Sequence, residues 1–383
     1  MKKKIVFYVR NLEFHAISKN LQTIVNSLDK KNFEITIIVG EKKYSDFILD
    51  NFSKEIKIKF ILNDFLTSFR SKKYKKNFKN KIFLDFIKLF LNLKSIYEIK
   101  KNNFDTFIDY QGMYLSDFLK YTSIKNKITV LHENRYIGIT NDKKRKKIKK
   151  KFKNYNKIIF LAKEQTNDFK LLYPDLKDRF FNIYNCFDIN KIKELSMEKF
   201  TFDEIKWVDN KNYGLMLSRL ENGKDFQTVL NALGELKKID KLNFNFYFLG
   251  EGSLKSFLEK EIKNLNLEDN VFLLGNKTNP YKWIKKSNFV IMTSHSEGLN
   301  NVIIESLILE KIVIANKFKY GAEEILQNKY GFLFNNENYL ELVNILKKIT
   351  KENKKSTDYF PEIKKSYSRF SSINILEEFN KIL

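Results

Sequence analysis

Short apolar runs alternate with segments of helical periodicity along most of the chain. In the first half, the runs at residues 4–9, 35–39 and 157–161 have the length and β-branched content of strands, and amphipathic helical patterns separate most such runs. The rhythm breaks over residues 188–211 and starts again with an apolar run at 213–217. Since strands that alternate with helices assemble into parallel sheets, the pattern predicts two doubly wound α/β layers.

The break at residues 188–211 sets the expected domain boundaries. A chain of 383 residues exceeds the size of one typical hydrophobic core. We therefore predict a first domain over residues 1–190, a second domain over residues 191–371 and a terminal amphipathic helix over residues 372–383. The three prolines and twelve glycines argue against a long disordered linker.

Cysteine content and the apolar runs indicate the compartment. The single cysteine, Cys186, excludes an internal disulfide framework and is typical of a reducing compartment. The first residues lack the pattern of a signal peptide, and no run of about 18 uncharged apolar residues offers a membrane span. We therefore expect a cytoplasmic protein.

The formal net charge is +25, almost all of it from lysine, and such a field attracts anionic surfaces whatever its origin. Basic runs occupy residues 70–76 and 143–153. Between them, residues 81–100 have the pattern of a helix rich in large apolar residues, with a polar stripe at positions 81, 85, 88, 92 and 95. Such a helix between two basic runs could dock on an anionic bilayer, but for the helix itself we favour packing against the core. For the 143–153 run we expect contact with an anionic membrane or an acidic glycan.

One stretch in the second half orders a strand, a polar turn, a helix and another strand. Two carboxylates, Glu297 and Glu305, lie eight positions apart in this stretch, and Gly298 allows backbone to approach a ligand closely. Asn300 or Asn301 can cap the helix, whose first N–H groups then form an anion site suited to a diphosphate. Carboxylates suit hydroxyl-rich ligands because each accepts several hydrogen bonds. Full helicity between the two acids would separate them by about 12 Å.

Two cations follow the apolar run at residues 213–217. Arg219 and Lys224 lie where the predicted strand ends, and doubly wound sheets bind ligands at the carboxyl ends of their strands. A bidentate arginine with a point-charge lysine suits a diphosphate. In a chain this rich in lysine, Lys224 alone would read as a surface cation, whereas arginine is scarce and Arg219 is therefore the more informative residue.

The spacing of Glu297 and Glu305, with Gly298 after the first acid, resembles the signature of the retaining GT-B-fold glycosyltransferases of family four, also called glycosyltransferase group 1. Arg219 and Lys224 resemble an Arg-Leu…Lys element of the same family. The resemblance covers most of the C-terminal half and extends more thinly over the N-terminal half. It implies an α/β GT-B fold, with two Rossmann-like doubly wound domains, an interdomain cleft and a C-terminal helix packed back on the first domain.

The resemblance also implies roles for these residues. Glu297 would orient the hydroxyl groups of the donor sugar, and Glu305 would bind the ribose. Arg219, Lys224 and the helix start at residues 298–301 would stabilise the departing diphosphate, the role that a metal ion fills elsewhere. Transfer would retain the anomeric configuration of the sugar.

Three further segments resemble parts of the family pattern. The family often has a histidine at the position of His132 that touches the donor sugar, and a satisfied loop histidine accounts for this residue equally well. Gly250 belongs to a Gly-Glu-Gly turn, and backbone groups near Gly275 and Asn276 could read a base edge. The loop at residues 10–18 departs from the family because it lacks glycine.

These patterns define the expected site. The expected catalytic residues are Glu297, Arg219, Lys224 and His132. The expected donor-binding residues are Gly298, Leu299, Asn300, Asn301, Glu305, Gly250, Gly275 and Asn276. The chain has no Asp-x-Asp motif, no zinc-type Cys/His spacing and no Walker A motif, so we expect neither a metal ion nor a cofactor.

The sequence thus favours a glycosyltransferase that moves a hexosyl or N-acetylhexosaminyl group from a nucleotide sugar, with UDP favoured. The expected acceptor is a hydroxyl of a growing surface glycan, lipid-linked or of lipopolysaccharide or capsule type. The expected partners also include an anionic membrane surface at the cytoplasmic face of the inner membrane, and no nucleic acid is expected because no recognised module accompanies the charge. Two alternatives stay open: a GT-B-fold sugar-nucleotide epimerase, which needs no acceptor, and a non-catalytic protein that binds anionic membranes or RNA.

Overall fold

The computed structural model describes residues 2–13, 16–69, 78–132, 139, 141–352 and 354–383, with the backbone alone for residues 78–80. The basic run at residues 70–76 lies outside the described residues. The chain divides into two compact units, of which the first comprises Met1–Cys186 with Ser372–Leu383 and the second comprises Phe187–Ser371. The boundary between the two units therefore lies between Cys186 and Phe187, whereas the sequence predicted a domain boundary between residues 190 and 191.

The first unit is built on a seven-stranded parallel sheet. Its strand order is β3-β2-β1-β4-β5-β6-β7, so the crossovers run outward in both directions from β1. The strands are β1 (Lys3–Val9), β2 (Phe33–Val39), β3 (Lys57–Phe60), β4 (Thr106–Asp109), β5 (Asn126–Leu131), β6 (Lys157–Phe160) and β7 (Phe180–Asn182). All described pairs are parallel, and β1 pairs with β2 along its whole length.

Helices connect these strands. They are α1 (Ala16–Ser27), α2 (Asp46–Asp50), α3 (Asp64–Phe69), α4 (Phe78–Lys101), α5 (Asp142–Phe152) and α6 (Lys163–Leu172), with single 3₁₀ segments at Ser116–Tyr121 and Pro174–Arg179. The core between the sheet and the helices contains aromatic rings that pack against one another. The ring centroids of Phe160 and Phe169 lie 4.5 Å apart, and the ring of Phe152 contacts that of Phe180.

The second unit repeats the plan with a six-stranded parallel sheet. Its order is β10-β9-β8-β11-β12-β13. The strands are β8 (Tyr213–Leu217), β9 (Asn245–Leu249), β10 (Val271–Leu273), β11 (Phe289–Met292), β12 (Ile312–Asn316) and β13 (Phe332–Phe334). The prediction of two doubly wound parallel sheets is confirmed.

The helices of the second unit follow the same alternation. They are α7 (Ile189–Ser196), α8 (Phe202–Val208), α9 (Phe226–Lys238), α10 (Lys255–Asn264), α11 (Tyr281–Lys286), α12 (Asn301–Ile308), α13 (Ala322–Leu326), α14 (Tyr339–Glu352), α15 (Ser356–Tyr359) and α16 (Ile363–Ser368). The core of this unit joins α9 and α14 to the sheet through residues such as Leu233, Phe246 and Leu346, all fully buried.

The last helix, α17 (Ser372–Asn380), belongs to the first unit rather than the second. Its Phe379 is buried and stacks on Phe7 of β1, with ring centroids 6.5 Å apart. The carbonyl oxygen of Leu383 accepts a hydrogen bond from Asn126 Nδ2 at 3.0 Å. The segment after residue 371 is thus held on the first sheet by a buried ring and by hydrogen bonds at its end.

Helix α4 lies on the first unit in an orientation that the sequence did not predict. One side packs on the core through Ile87 and Leu91, together with two members of the polar stripe, Asn92 and Ser95. The opposite side, which includes Phe86, is exposed. The expectation that the apolar residues of this helix pack on the core is therefore wrong for one face, because large apolar residues occur on two opposite sides of the helix and only one side can meet the sheet.

Within the described ranges, no helix combines the length and the hydrophobicity that crossing a bilayer requires.

The tight centre of the second sheet yields a stability prediction. A Cβ at Gly214 of β8 would lie 2.2 Å from Phe289 Cε2 and 2.9 Å from Phe246 Cδ2, so the two neighbouring strands leave no room for a methyl group. We expect Gly214→Ala to lower the free energy of unfolding by about 1–3 kcal/mol, as overpacking does. Urea unfolding followed by circular dichroism measures the loss.

The matched control is Gly234→Ala in helix α9. A Cβ there meets Leu265 only at 3.4 Å, and alanine favours a helix by up to about 1 kcal/mol over glycine. We expect this variant to be as stable as the wild type or more so. A Gly214→Ala protein that unfolds at the wild-type urea concentration would contradict the packing argument.

Candidate functional site

The strand order of the second sheet reverses between β8 and β11. In doubly wound sheets the loops that follow the two strands at such a point diverge, and ligands bind in the space that they leave. Here the loops are residues 218–225 after β8 and residues 293–300 after β11. They carry the expected residues Arg219, Lys224 and Glu297.

Buried hydrogen bonds tie the two loops together. The hydroxyl of Thr293, which is fully buried, donates to the carbonyl oxygens of Lys224 at 3.0 Å and Asp225 at 2.9 Å. The backbone N–H of His295 donates to the carbonyl oxygen of Gly223 at 2.9 Å. Because these bonds use main-chain atoms of the first loop, they set the position of Lys224 relative to the second loop.

Lys224 and Glu297 form an ion pair at this edge, with Lys224 Nζ 2.5 Å from Glu297 Oε1. The same carboxylate oxygen accepts the hydroxyl of Ser294 at 2.5 Å and lies 3.5 Å from Asn300 Nδ2. Both charged side chains are largely removed from water, which strengthens their attraction over that of a surface pair. The structure therefore places these two predicted residues in direct contact.

The turn before α12 is capped as the sequence suggested, and the structure selects the residue. Asn300 Oδ1 accepts the backbone N–H of Ile303 at 3.1 Å, so Asn300 is the cap and Asn301 opens the helix. Gly298, Leu299 and Asn300 are buried. Because α12 starts only at Asn301, residues 297–300 are not helical, and the fully helical spacing that gave about 12 Å between the acids does not hold.

Glu305 faces a residue that sequence reasoning missed. Tyr281, the first residue of α11, donates its hydroxyl to Glu305 Oε1 at 3.1 Å, and both side chains are buried. Burial, together with the charge of Glu305, raises the pKa of Tyr281 well above its usual value, so the phenol stays a donor. The one signal in the sequence is a tyrosine directly after Pro280 at a helix start.

Arg219 lies in a separate ion pair. Its guanidinium Nη1 is 3.0 Å from Glu221 Oε2, and 75% of its side chain is exposed. The structure thus brings Lys224 and Glu297 together and directs Arg219 to a neighbour in its own loop. Its role toward a diphosphate stays a prediction.

The glycines after β9 are required by contacts between loops. A Cβ at Gly250 would lie 1.9 Å from the carbonyl oxygen of Ser218, and one at Gly252 would lie 2.2 Å from that of Leu220. Gly250 N–H in turn donates to the carbonyl oxygen of Gly275 at 3.0 Å, and Gly275 has φ of +69°. Packing therefore explains these glycines, and binding of a donor there stays a prediction. Asn276, beside them, is exposed.

His132 follows β5 in the first unit and is neutral at physiological pH. Burial lowers the pKa of His132 to about 4, although a hydrogen bond to the Tyr110 backbone opposes the shift. Its Nε2 is buried and has no hydrogen-bond partner within the described part of the chain. The Nε2 atom is therefore available for a hydrogen bond with a ligand hydroxyl. Contact with a sugar stays a prediction.

A buried carboxyl, Asp109, ends strand β4 near the corresponding edge of the first sheet. Its Oδ2 accepts the hydroxyl of Tyr155 at 2.8 Å and the backbone N–H of Leu115 at 3.1 Å. Burial raises the pKa of Asp109 to about 7, in spite of these bonds. Sequence reasoning did not single out this residue, although an acid at the end of an apolar strand is a recognisable signal.

Side chains brace the glycine-free loop after β1. The backbone N–H of Arg10 donates to Gln111 Oε1 at 2.7 Å, and its Nε donates to Glu41 Oε1, a buried carboxylate, at 2.9 Å. Gln111 and Glu41 thus hold the loop start in place through polar contacts. Residues 14 and 15 of the loop lie outside the described residues.

Comparison with known proteins finds a family match within the second unit. The family model described as "Glycosyl transferases group 1" matches residues 197–366, which include Arg219, Lys224, Glu297 and Glu305. His132 lies outside the match.

Two curated relatives each align with about half of this chain. The chain is 32% identical over 202 residues to the Campylobacter jejuni N-acetylgalactosamine-N,N'-diacetylbacillosaminyl-diphospho-undecaprenol 4-alpha-N-acetylgalactosaminyltransferase, covering 52% of each chain. It is 27% identical over 199 residues to the poly(ribitol-phosphate) alpha-N-acetylglucosaminyltransferase of Staphylococcus aureus, covering 51% of this chain and 40% of that one. The chain thus spans about half the length of the curated relatives it matches.

Solved structures match along the whole chain. TarM has a TM-score of 0.77 at 16% identity, with 100% of this chain and 99% of that chain covered. HepE of Anabaena, solved with UDP and glucose, has a TM-score of 0.76 at 18% identity, with 99% and 98% covered. At such identities the likeness concerns the fold alone, and it confirms the GT-B prediction.

The buried state of His132 yields a pH prediction. Its folded pKa of about 4 lies below the unfolded value of 6.5, so the unfolded chain binds a proton that the native chain excludes. Stability therefore falls as the pH drops from 6.5 towards 4, and the advantage of the wild type over His132→Asn should shrink by about 3 kcal/mol between pH 7.5 and pH 4. Denaturant unfolding at several pH values measures this.

Comparing the wild type with His132→Asn cancels the pH dependence of stability that Asp109 contributes, which has the opposite sign to that of His132. Because the pKa of Asp109 is raised from 3.8 to about 7, the protein loses stability as the pH rises between these two values, and this contribution is present in both proteins. His295→Asn, at a half-exposed position, is the matched control. Equal pH dependence of the wild type and His132→Asn would refute the neutral, buried histidine.

Proposed function

Because residues 197–366 of this chain belong to the group 1 glycosyl transferases, we propose that the protein is a retaining glycosyltransferase of surface-glycan synthesis. It moves a sugar from a nucleotide donor, UDP-linked, to a hydroxyl of a growing glycan. The acceptor that we propose is lipid-linked or of lipopolysaccharide or capsule type. The names of the relatives support this class, since they include transferases that act on a diphospho-undecaprenol glycan and on poly(ribitol-phosphate).

One observation carries the proposal: the contact of Lys224 with Glu297 beside the capped start of α12, at the point where the strand order of the second sheet reverses. A cation and the positive end of a helix dipole suit the negative charge that grows on a leaving diphosphate. A carboxylate in the same place suits sugar hydroxyls. The two partners of the ion pair therefore match the two halves of a nucleotide sugar.

The ion pair prepares both side chains before the donor arrives. Glu297 positions Lys224, which turns its remaining N–H groups to the diphosphate as the bond to the sugar breaks. Glu297, held by Ser294 through a short hydrogen bond, then accepts hydrogen bonds from the sugar hydroxyls. Preorganised groups of this kind contribute mainly to the transition state, since they need little rearrangement as charge develops. Arg219 leaves its exposed partner to join the same diphosphate.

Glu305 binds the ribose of the donor, and Tyr281 orients the carboxylate of Glu305. The phenol donates to one carboxylate oxygen, which leaves the carboxylate aligned for a pair of sugar hydroxyls. Charge stabilisation by Lys224, Arg219 and the helix start makes a metal ion unnecessary in this proposal.

The protein works at the cytoplasmic face of the inner membrane, next to a lipid-linked acceptor. The exposed lysines of α5 provide a basic face for anionic lipid. The net charge of +25 acts in the same direction.

Removal of the cation tests the proposed site. Purified protein is incubated with UDP-glucose, UDP-N-acetylglucosamine and UDP-N-acetylgalactosamine, with and without membrane lipid extract, and released UDP is measured. We expect Lys224→Met to lower the rate by about 10²–10³-fold, the usual loss when one charge-stabilising donor is removed. Lys260→Met, an exposed lysine of α10, is the matched control and keeps the wild-type rate.

The same assay separates the alternatives. Release of UDP that depends on the lipid extract supports transfer to a lipid-linked acceptor. Conversion of the bound sugar without acceptor identifies an epimerase instead. If no sugar nucleotide turns over while vesicles or RNA bind, the protein is a non-catalytic anion-binding protein and the proposal fails.

The basic face of α5 is tested separately. Replacing Lys143, Lys147 and Lys150 by Gln removes three exposed cations, each worth about 1 kcal/mol at an anionic surface. We expect affinity for vesicles that contain phosphatidylglycerol to fall at least about tenfold, with a weaker dependence on salt. The control, with equal charge change, replaces the exposed lysines of α10, namely Lys255, Lys260 and Lys263. Unchanged vesicle binding in the α5 variant would remove the support for this surface.

A further inference from the structure

Helix α4 has large apolar side chains on two opposite sides. Ile87 and Leu91 are buried in the core, next to Asn92 and Ser95, and Ser95 donates its hydroxyl to the Leu91 carbonyl oxygen at 2.7 Å. On the opposite side Phe86 is 63% exposed and Leu93 is 54% exposed. A surface helix of a globular protein normally carries polar residues on its solvent side, because burial of apolar area drives its packing.

The exposed side chains form one stripe. Residues 82, 86, 89, 93 and 97 follow the spacing of a single helical face, and all five are large, apolar or aromatic, and exposed. From Ile82 to Tyr97 the stripe runs about 22 Å along the helix. Scattered single apolar residues on a surface need no explanation, whereas a contiguous patch marks a site of interaction.

Helix α3 extends the stripe sideways. Phe83 of α4 contacts Phe69 of α3, with ring centroids 5.1 Å apart, and Phe69 lies 5.1 Å from Phe65. Phe65 is itself 64% exposed. The aromatic rings therefore join two helices into a single surface, here called the α3–α4 face.

The charges around this face select its partner. Helix α4 contains six lysines and two acids, and one of the acids, Glu98, is buried and paired with Lys59 Nζ at 2.6 Å. Lys94 Nζ lies over the ring of Phe90, 5.6 Å from its centroid, so a cation lies directly beside an exposed ring. A second copy of a chain with net charge +25 would bring like charges together. An anionic lipid surface offers apolar tails to the rings and phosphate groups to the lysines.

We propose that the α3–α4 face inserts into the interface of an anionic bilayer, with α4 lying in the plane of the membrane. Apolar side chains reach about 5–10 Å below the headgroups in such an arrangement, while lysines at the rim extend their amines to the phosphates. Insertion and charge attraction together give the two signals that stable peripheral binding needs. The inference deepens the proposed membrane location and does not depend on sugar transfer.

Vesicle sedimentation of the full chain tests the proposal. Vesicles of phosphatidylcholine mixed with phosphatidylglycerol, which give an anionic surface, are compared with vesicles of pure phosphatidylcholine. We expect the double variant Phe86→Ser with Leu93→Ser to bind the anionic vesicles at least about tenfold more weakly, since each buried CH₂ contributes roughly 0.8 kcal/mol. The controls are Leu171→Ser in the first unit and Phe202→Ser in the second, both exposed apolar positions outside the face. Equal loss in the controls and the double variant overturns the proposal.

A fluorescent label reports insertion directly. Cys186 is buried, so a cysteine introduced by Phe86→Cys is the accessible thiol for an environment-sensitive dye. We expect a blue shift and protection from an aqueous quencher when anionic vesicles are added, and no shift for a label at Leu171→Cys. A label at position 86 that stays in water while the protein sediments with vesicles overturns the proposal.

Two further outcomes are decisive. If the wild type is a dimer without lipid, and Phe86→Ser with Leu93→Ser makes it a monomer, the face is an interface between copies and the proposal is wrong. Release of UDP from the soluble donors in detergent solution is measured in parallel. A protein that inserts but never turns over a sugar nucleotide refutes the proposed function alone, and one that turns over donor without inserting refutes this inference alone.

Discussion

The adjacency of β8 and β11 is the constraint on which the second unit depends. Their parallel pairing places two loops side by side that are about 70 residues apart along the chain, with Lys224 and Glu297 separated by 73 positions. Thr293 then joins the loops by hydrogen bonds to main-chain oxygens, which are independent of the side chains that the loops carry. A charged pair can be held in a largely dry place because the backbone around it is already satisfied.

The first unit meets the same constraint with different residues. Its strand order also reverses at the first strand, between β1 and β4, and the loops there contain Arg10 and Gln111. Side-chain hydrogen bonds to Gln111 and Glu41 hold this loop where a glycine-rich loop would use backbone alone. In the second unit Gly250 and Gly252 serve the opposite need, since two turns approach so closely that no Cβ fits. The two units thus hold their loops by different means, since the first unit uses polar side chains and the second uses glycines that have no side chain.

Charge and exposed apolar surface are distributed unevenly in the first unit. Helix α5 carries lysines over a solvated face and buries only Ile148 and Phe152 against the core. Helix α4 exposes large apolar side chains and keeps lysines at its edges. The two helices therefore favour the same anionic surface by different physical means, one by long-range attraction that salt screens and the other by removal of apolar area from water.

The alternation of apolar runs with helical patterns was enough to predict both doubly wound sheets, because side-chain periodicity is a local property that survives into the fold. The same holds for the turn before α12: an asparagine before an apolar helix predicts a cap, and Asn300 provides it. The acids of the Glu297–Glu305 motif were recognised from their spacing alone.

The side-chain partners of these residues were not predictable. The pairing of Lys224 with Glu297 and of Glu305 with Tyr281 depends on strand order and loop path rather than on neighbours in sequence. The orientation of α4 belongs to the same category. A helix with large apolar residues on two opposite sides contains no local instruction about which side meets the sheet, and only the tertiary structure decided that Ile87 and Ser95 would face inward and Phe86 outward.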